Sequence, residues 1–312
     1  MESLISMRDA YGNALVELGK THSNIVVLDA DLAYSTKTHL FKETFPERFF
    51  DLGLSEADMM STAAGLASCG KTVFASTFAV FATGRAWDQV RLSIVYSRLS
   101  VKIVATHGGI ATGADGYSHQ AIEDIGLMRL LPGMRVIVPC DATQTSAVIK
   151  SIAGIDGPFY VRLVKSNLPQ IYDKFEFKLG SSVTLREGKD ITIGAIGPMV
   201  FEALESHELL KAKGISARVI DFASVKPIDV NAIQKACDET KGIITCEDHS
   251  VVGGFGDAVA QIILAYHPIP HLRIGVQDTF SKSGSQEELY KKYGLTAQHI
   301  VEKAKQILAS RK

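Results

Sequence analysis

Along the first half of the chain, short aliphatic and β-branched runs alternate with segments whose apolar positions recur every three or four residues. The runs are NIVVLD (24–29), TVFAS (72–76), VKIVAT (101–106), RVIVP (135–139) and FYVRLV (159–164). Uninterrupted apolar runs of this length suit strands of a parallel sheet that is covered on both faces. RDAYGNALVELGK (8–20) and RAWDQVRLSIVYSRL (85–99) carry the helical period. A helix over 79–98 would put Trp87, Val90, Ile94 and Val95 on one packing face. Repeated βαβ units of this kind predict an α/β fold with a doubly wound, mostly parallel sheet.

The alternation stops near SNLPQIYD and restarts at ITIGAIG (191–197), with the charged, turn-rich KFEFKLGSSVTLREGKD between them. This pattern predicts a first domain over 1–166, a linker over 167–190 and a second doubly wound domain over 191–312. In the second domain ITIGAIG, ISARVIDF, GIITCED and LRIGV read as strands. Helices are expected over 199–213, 229–240, 256–266 and 296–309.

Composition narrows the function classes. A chain of 312 residues suits two domains. Lys+Arg 33 against Asp+Glu 34 gives a net charge of -1 with no basic block, so no nucleic acid and no anionic membrane surface is expected as a partner. No run approaches the ~20 apolar residues of a membrane span, and the start of the chain lacks a secretory pattern. A cytoplasmic protein is expected. Cys69, Cys140, Cys237 and Cys246 have no paired spacing and read as small core hydrophobes. Neither a GxxxxGK[ST] nor a GxGxxG motif is present, and GGFG at 253–256 has the wrong spacing. A phosphorylated cofactor would need its phosphates gripped by something else.

Three stretches carry chemistry. In GLSEADMMSTAAGLA (53–67), Glu56 heads a run of small apolar residues. Taken alone, Ser55 reads as an N-cap with Asp58 completing a capping box, and Glu56 as a first-turn acid. In ASTFAVFATGRAWDQVR (75–91), Phe78 and Phe81 stand three apart and on a helix would share a face, as core or as a wall for a flat ring. In ATHGGIATGADGYSHQAIED (105–124), His107, Asp115 and His119 lie on a glycine-rich loop leaving a strand. Ligands bind at such strand ends in parallel sheets, and imidazoles are the usual proton shuttles near neutrality.

These stretches, with FYVRLVKSNLPQ, resemble the pyrimidine-binding domain of transketolase in order and interval. RVIDFASVKPID, CEDHSVVGGFGDAV and GSQEELYKKYGLT resemble the transketolase C-terminal domain. The half that holds the diphosphate of thiamine diphosphate and a divalent metal has no counterpart in this sequence. The resemblance therefore implies the C-terminal subunit of a split transketolase. It would transfer a two-carbon ketol unit between sugar phosphates, with Mg2+ (or Ca2+) held by a separate N-terminal subunit. A heterotetramer is expected, two of each chain, with a homodimer possible for the isolated chain.

By the same resemblance Glu56 binds the ring nitrogen N1′ of the cofactor and favours the tautomer that accepts a proton. Phe78 and Phe81 pack around the aminopyrimidine. A third aromatic of the family pattern is Gly84 here, which leaves the pocket more open or filled by a neighbour such as Trp87. His107 and His119 match residues that contact sugar hydroxyls and assist proton transfer. Asp115 matches one that binds the hydroxyl beside the reacting carbon. Lys165 stands where an arginine usually grips the substrate phosphate, and Arg162 precedes it by three, which on a strand turns the two to opposite sides. Lysine binds phosphate as a point charge without the bidentate fork, and an exposed strand-end charge is the alternative reading. His249 lies outside the expected site.

Within the thiamine class, a 2-oxo acid dehydrogenase β subunit would not be expected to carry THGGIATGADGYSHQ. A deoxyxylulose-phosphate synthase shares the DG..HQ pattern but not the ATH that supplies His107. A non-catalytic partner subunit of the same fold is the reading from a different class, disfavoured because Glu56 and both histidines are present.

Overall fold

The computed structural model describes residues 4–309. Its strands are β1 (Leu4–Ser6), β2 (Ile25–Asp29), β3 (Phe49–Asp51), β4 (Thr72–Phe78), β5 (Val101–Thr106), β6 (Arg135–Ile137), β7 (Phe159–Arg162), β8 (Asn167–Pro169), β9 (Val183–Arg186), β10 (Ile191–Ala195), β11 (Ala217–Asp221), β12 (Ser224–Lys226), β13 (Ile243–Ser250) and β14 (His271–Val276). The first domain is built on a seven-stranded sheet in the order β12-β6-β7-β5-β4-β2-β3, the second on a five-stranded sheet in the order β14-β13-β10-β11-β9. Strands β2, β5 and β7 are buried along their whole length, as their unbroken apolar runs require. Helices cover both faces, so each domain is the α/β layer structure that the alternation predicts.

Four details differ from the sequence reading. The interval 167–190 contains two strands: β8 pairs antiparallel with β1, and β9 joins the second sheet at an antiparallel edge. Strand β12 lies beyond the second domain's β11 in sequence, yet it pairs antiparallel with β6 as the edge of the first sheet. Lys226 at its end donates to the Arg129 and Leu131 carbonyls, both at 2.7 Å. The domains are thus joined by main-chain pairing as well as by side chains. The region 79–98 is not one regular helix, because π-helical turns at Phe81–Arg85 and Val90–Tyr96 flank a short α-helical segment. Extra residues inserted into the ladder re-aim the side chains around them, and such bulges occur often at functional sites. Lastly, Cys69 is exposed, whereas the other three cysteines are buried as expected. No helix among the described residues is long and apolar enough to cross a membrane.

Candidate active site

In the first sheet β2 runs on to β3 on one side while its neighbour β4 runs on to β5 on the other, so the strand order reverses between β2 and β4. The carboxyl ends of strands at such a reversal form the usual ligand crevice. Glu56 enters from the helix Glu56–Ser68, which follows β3. Phe78 ends β4, and His107 follows the last residue of β5. Topology alone therefore brings these residues to one end of the sheet.

The capping-box reading of this helix is corrected. Ser55 makes no side-chain capping bond, and Asp58 completes no box. Glu56 is instead only 4% exposed, and its Oε1 accepts from Arg85 Nη1 at 2.9 Å. A first-turn acid favoured only by the helix dipole would sit in water. Arg85 in turn lies over the Phe81 ring, 3.9 Å from its centroid. The π-helical turn at 81–85 supplies both the ring and the guanidinium.

Phe78 and Phe81 do not share a helical face, because Phe78 is the last residue of a strand. Their rings nevertheless meet at 5.7 Å and 22°. His107 stacks on the other partner of this wall, 3.7 Å from the Phe78 centroid, and His119 stands edge-on to both phenylalanines. Gly84 faces open space, with nothing within 4 Å of where a side chain would begin. Trp87 does not fill that gap, since its indole N–H points at the Leu127 carbonyl.

His107 has φ 62, a left-handed conformation that costs energy for a residue with a side chain. Its backbone carbonyl accepts from Thr112 Oγ1 at 2.7 Å, and Thr106 Oγ1 lies 2.8 Å from its Nδ1. Burial pushes the imidazole pKa down to about 3, and the nearby charges of Arg8 and Lys165 push the same way. The ring is thus neutral at physiological pH, with one donor and one acceptor nitrogen. We expect an NMR titration of His107 to show no protonation step between pH 5 and 8. A midpoint near the ordinary value of ~6.5 would contradict this environment.

Asp115 pairs with Lys165, Oδ2 to Nζ, at 2.7 Å. Partial burial raises the proton affinity of this carboxyl, but the Lys165 ammonium outweighs that and holds it below the usual range. Arg162 lies elsewhere. A candidate substrate ligand that strand alternation already turns away from Lys165, it is 1% exposed and spends its donors on protein: Nε on Asp124 at 2.9 Å, Nη2 on the Ala121 and Asp248 carbonyls at 2.9 and 2.8 Å. It ends the buried strand β7, whereas Lys165 lies past the strand end and is half-exposed.

Arg8 was missed. It sits in the first helical turn of Met7–Thr21, donates from Nη1 to the Ser35 carbonyl at 3.0 Å, and keeps a buried Nε with no partner. Its charge reaches His107. In sequence it is one more helix-surface arginine, and only its electrostatic effect on His107 in the folded chain reveals it.

A buried carboxylate, a stacked aromatic wall and two imidazoles at the strand ends of one α/β domain, braced by a second, are the parts of a transketolase-type pair of domains. The family model of the transketolase pyrimidine binding domain matches residues 3–170, and that of the transketolase C-terminal domain matches 180–300. The chain belongs to the transketolase family. It is 48% identical over 301 residues to a putative transketolase C-terminal section of Methanocaldococcus jannaschii, covering 95% of this chain and 94% of that one. A 6-deoxy-6-sulfo-D-fructose transketolase subunit of a Clostridium strain is 40% identical over 96% of this chain and 94% of its own. Among solved structures, a split gene transketolase described as an inactive beta4 tetramer superposes with a TM-score of 0.92 at 50% identity, covering 98% of this chain and 99% of that one. Membership implies dependence on thiamine diphosphate.

Proposed function

We propose that this chain is the pyrimidine-side subunit of a thiamine-diphosphate-dependent enzyme that transfers a two-carbon ketol unit between sugar phosphates. The observation that carries the reading is the meeting of Glu56, the Phe78–Phe81 stack and the His107–His119 loop at one end of the first sheet. These residues fit the cofactor's ring. Glu56 is a buried carboxylate for N1′, and Phe81 stands beside it next to the open space at Gly84; the half-exposed Arg85, which covers the Phe81 ring and holds Glu56, has to give way to the cofactor's ring. Stacking on the Phe81 ring contributes about 1 kcal/mol beyond burial.

When bound, thiamine diphosphate supplies the carbon nucleophile for the ketose carbonyl. The chain's own residues then handle the substrate. Neutral His107 donates to or accepts from a sugar hydroxyl, and His119 across the wall moves a second proton. Asp115 takes the hydroxyl beside the reacting carbon. Asp115 is exposed in the isolated chain, so this bond discriminates only once substrate and partner shield it from water, when an analogue without the hydroxyl leaves the carboxylate unpaired. Lys165 and Arg8 attract the terminal phosphate by charge rather than by a bidentate fork. The Clostridium relative is named for a sulfo-sugar, so the terminal anion is a natural point of divergence within the family.

A separate N-terminal subunit completes the site, holding the diphosphate and Mg2+ or Ca2+, in a heterotetramer of two copies of each chain. The test is two-carbon transfer from xylulose 5-phosphate to ribose 5-phosphate with cofactor and magnesium. We expect turnover only when this chain is mixed with its N-terminal partner. A mixture that assembles and binds cofactor yet transfers nothing would overturn the substrate class.

A further inference from the structure

The second domain has a strand reversal of its own. β10 runs on to β11 on one side while its neighbour β13 runs on to β14 on the other, so the carboxyl ends of β10 and β13 should frame a ligand crevice. What enters that place is the glycine-rich loop of the first domain. Asp248, near the end of β13, accepts the N–H of Ile110 at Oδ1 (2.9 Å) and the N–H of Ala111 at Oδ2 (3.0 Å). Tyr290 donates its hydroxyl to the same Oδ2 at 3.0 Å, and Arg162 donates to the Asp248 carbonyl. The carboxylate is 1% exposed, so these donors replace its water.

Both glycines after His107 face this machinery. A side chain on Gly109 would collide with the Asp248 carboxylate, and one on Gly108 with the Arg162 guanidinium. Beyond them, Thr112 returns its hydroxyl to the His107 carbonyl, while Gln120 donates to the carbonyls of Gly113 (3.0 Å) and Lys282 (3.1 Å). The helix Gln286–Tyr293, which carries Tyr290, packs on the 110–115 segment. The loop is therefore gripped by the second domain from its first turn to its last.

We infer that Asp248 is a positioning residue for the substrate loop, holding the backbone after His107 in the conformation that stacks its imidazole on Phe78. Asp248 touches none of the reacting groups and acts through the Ile110 and Ala111 amides. This inference rests on the reading of 107–119 as the substrate loop.

The alternative is that Asp248 merely fastens two domains together, and the same seam contains a control for that. Asp221, ending β11, is likewise buried and accepts from Gln144 Nε2 at 2.6 Å and from the Tyr172 hydroxyl at 2.8 Å. None of these partners belongs to the loop. Tyr290→Phe and Tyr172→Phe thus each delete one hydroxyl bonded to a buried seam carboxylate, and only the first should reach the loop.

The experiment is hydrogen–deuterium exchange on the full chain, followed in peptides spanning 107–120, with steady-state kinetics of the reconstituted mixture alongside. In Asp248→Asn we expect loop amides to exchange at least about tenfold faster, about 1.4 kcal/mol at 25 °C, and the donor KM to rise by a similar factor while the complex still assembles. Tyr290→Phe should shift both in the same direction by less, and it stands in if the asparagine variant fails to fold. Tyr172→Phe should leave loop exchange and KM unchanged. Loop exchange within twofold of the parent in both Asp248→Asn and Tyr290→Phe, or equal loosening in Tyr172→Phe, overturns the inference. Exchange needs no substrate, so it decides this point even if the transfer assay overturns the ketol-transfer reading.

Discussion

Replacing Arg162 by methionine is expected to destabilise the chain by about 3–5 kcal/mol, the usual cost of removing one partner of a fully buried ion pair. The side chains of Arg162 and Asp124 are 1% and 0% exposed, and Asp124 Oδ2 also accepts the Tyr160 hydroxyl at 2.6 Å. Asp124 Oδ1 already lacks a partner. Without the guanidinium, a buried carboxylate and two carbonyls, those of Ala121 and Asp248, lose donors at once. Two of these groups belong to the first domain and one to the second, so the loss should appear in the domain contact as well as in the sheet. Urea unfolding followed by circular dichroism measures it, taking the midpoint of the first cooperative transition because a two-domain chain need not unfold in one step. Adding Asp124→Leu should restore part of the stability, since apolar replacement of both partners is often close to neutral. A loss below about 1 kcal/mol would mean that water replaces the guanidinium at low cost, and that the seam is looser than its burial shows.

Arg162 also marks the limit of what the sequence could say. Strand alternation separates it from Lys165, and the structure does send the two side chains to different surroundings. Alternation cannot say which of them faces solvent. That depends on Asp124 and Asp248, which are 38 and 86 residues away in sequence. The same physics limits the rest. The apolar runs of β2, β5 and β7 were legible because strands buried on both faces exclude polar residues. β12 was not, because SVK is too short to show a period and its partner β6 lies in another domain. The grouping of Phe78 with Phe81 was legible although its geometry was misjudged, since a strand end followed by a helical turn also returns a residue three positions on to its neighbour. Arg8 had no local signal. The HGG sequence did carry one, because two glycines directly after a candidate catalytic histidine announce a close approach by something else.

Glu56→Ala, assayed with the N-terminal partner and thiamine diphosphate, is expected to lower kcat by roughly 10²–10⁴-fold, the range for loss of a positioned acid–base group. Two readings of this residue make opposite forecasts. As a helix-terminal acid it would contribute about 0.3–1 kcal/mol of stability and nothing to turnover. As the carboxylate that binds the ring nitrogen, it would contribute little to stability. Its ion-pair partner among the described residues, Arg85, is 56% exposed and can be rehydrated when the pair is lost. The structure weakens the first reading, since Ser55 caps nothing and the Glu56 side chain is turned into the protein at 4% exposure. A folded, assembled variant with normal melting behaviour and lost turnover would single out the second. Glu56→Gln sharpens the test, because it keeps the shape and one acceptor oxygen but removes the proton-sharing carboxyl. If glutamine restores turnover, Glu56 only orients the ring. If glutamine is as poor as alanine, the ionisable group itself is required, and the Phe78–Phe81 wall serves to hold the ring against it. Normal turnover in the alanine variant would remove Glu56 from the site and leave the fold and the loop grip of Asp248 untouched.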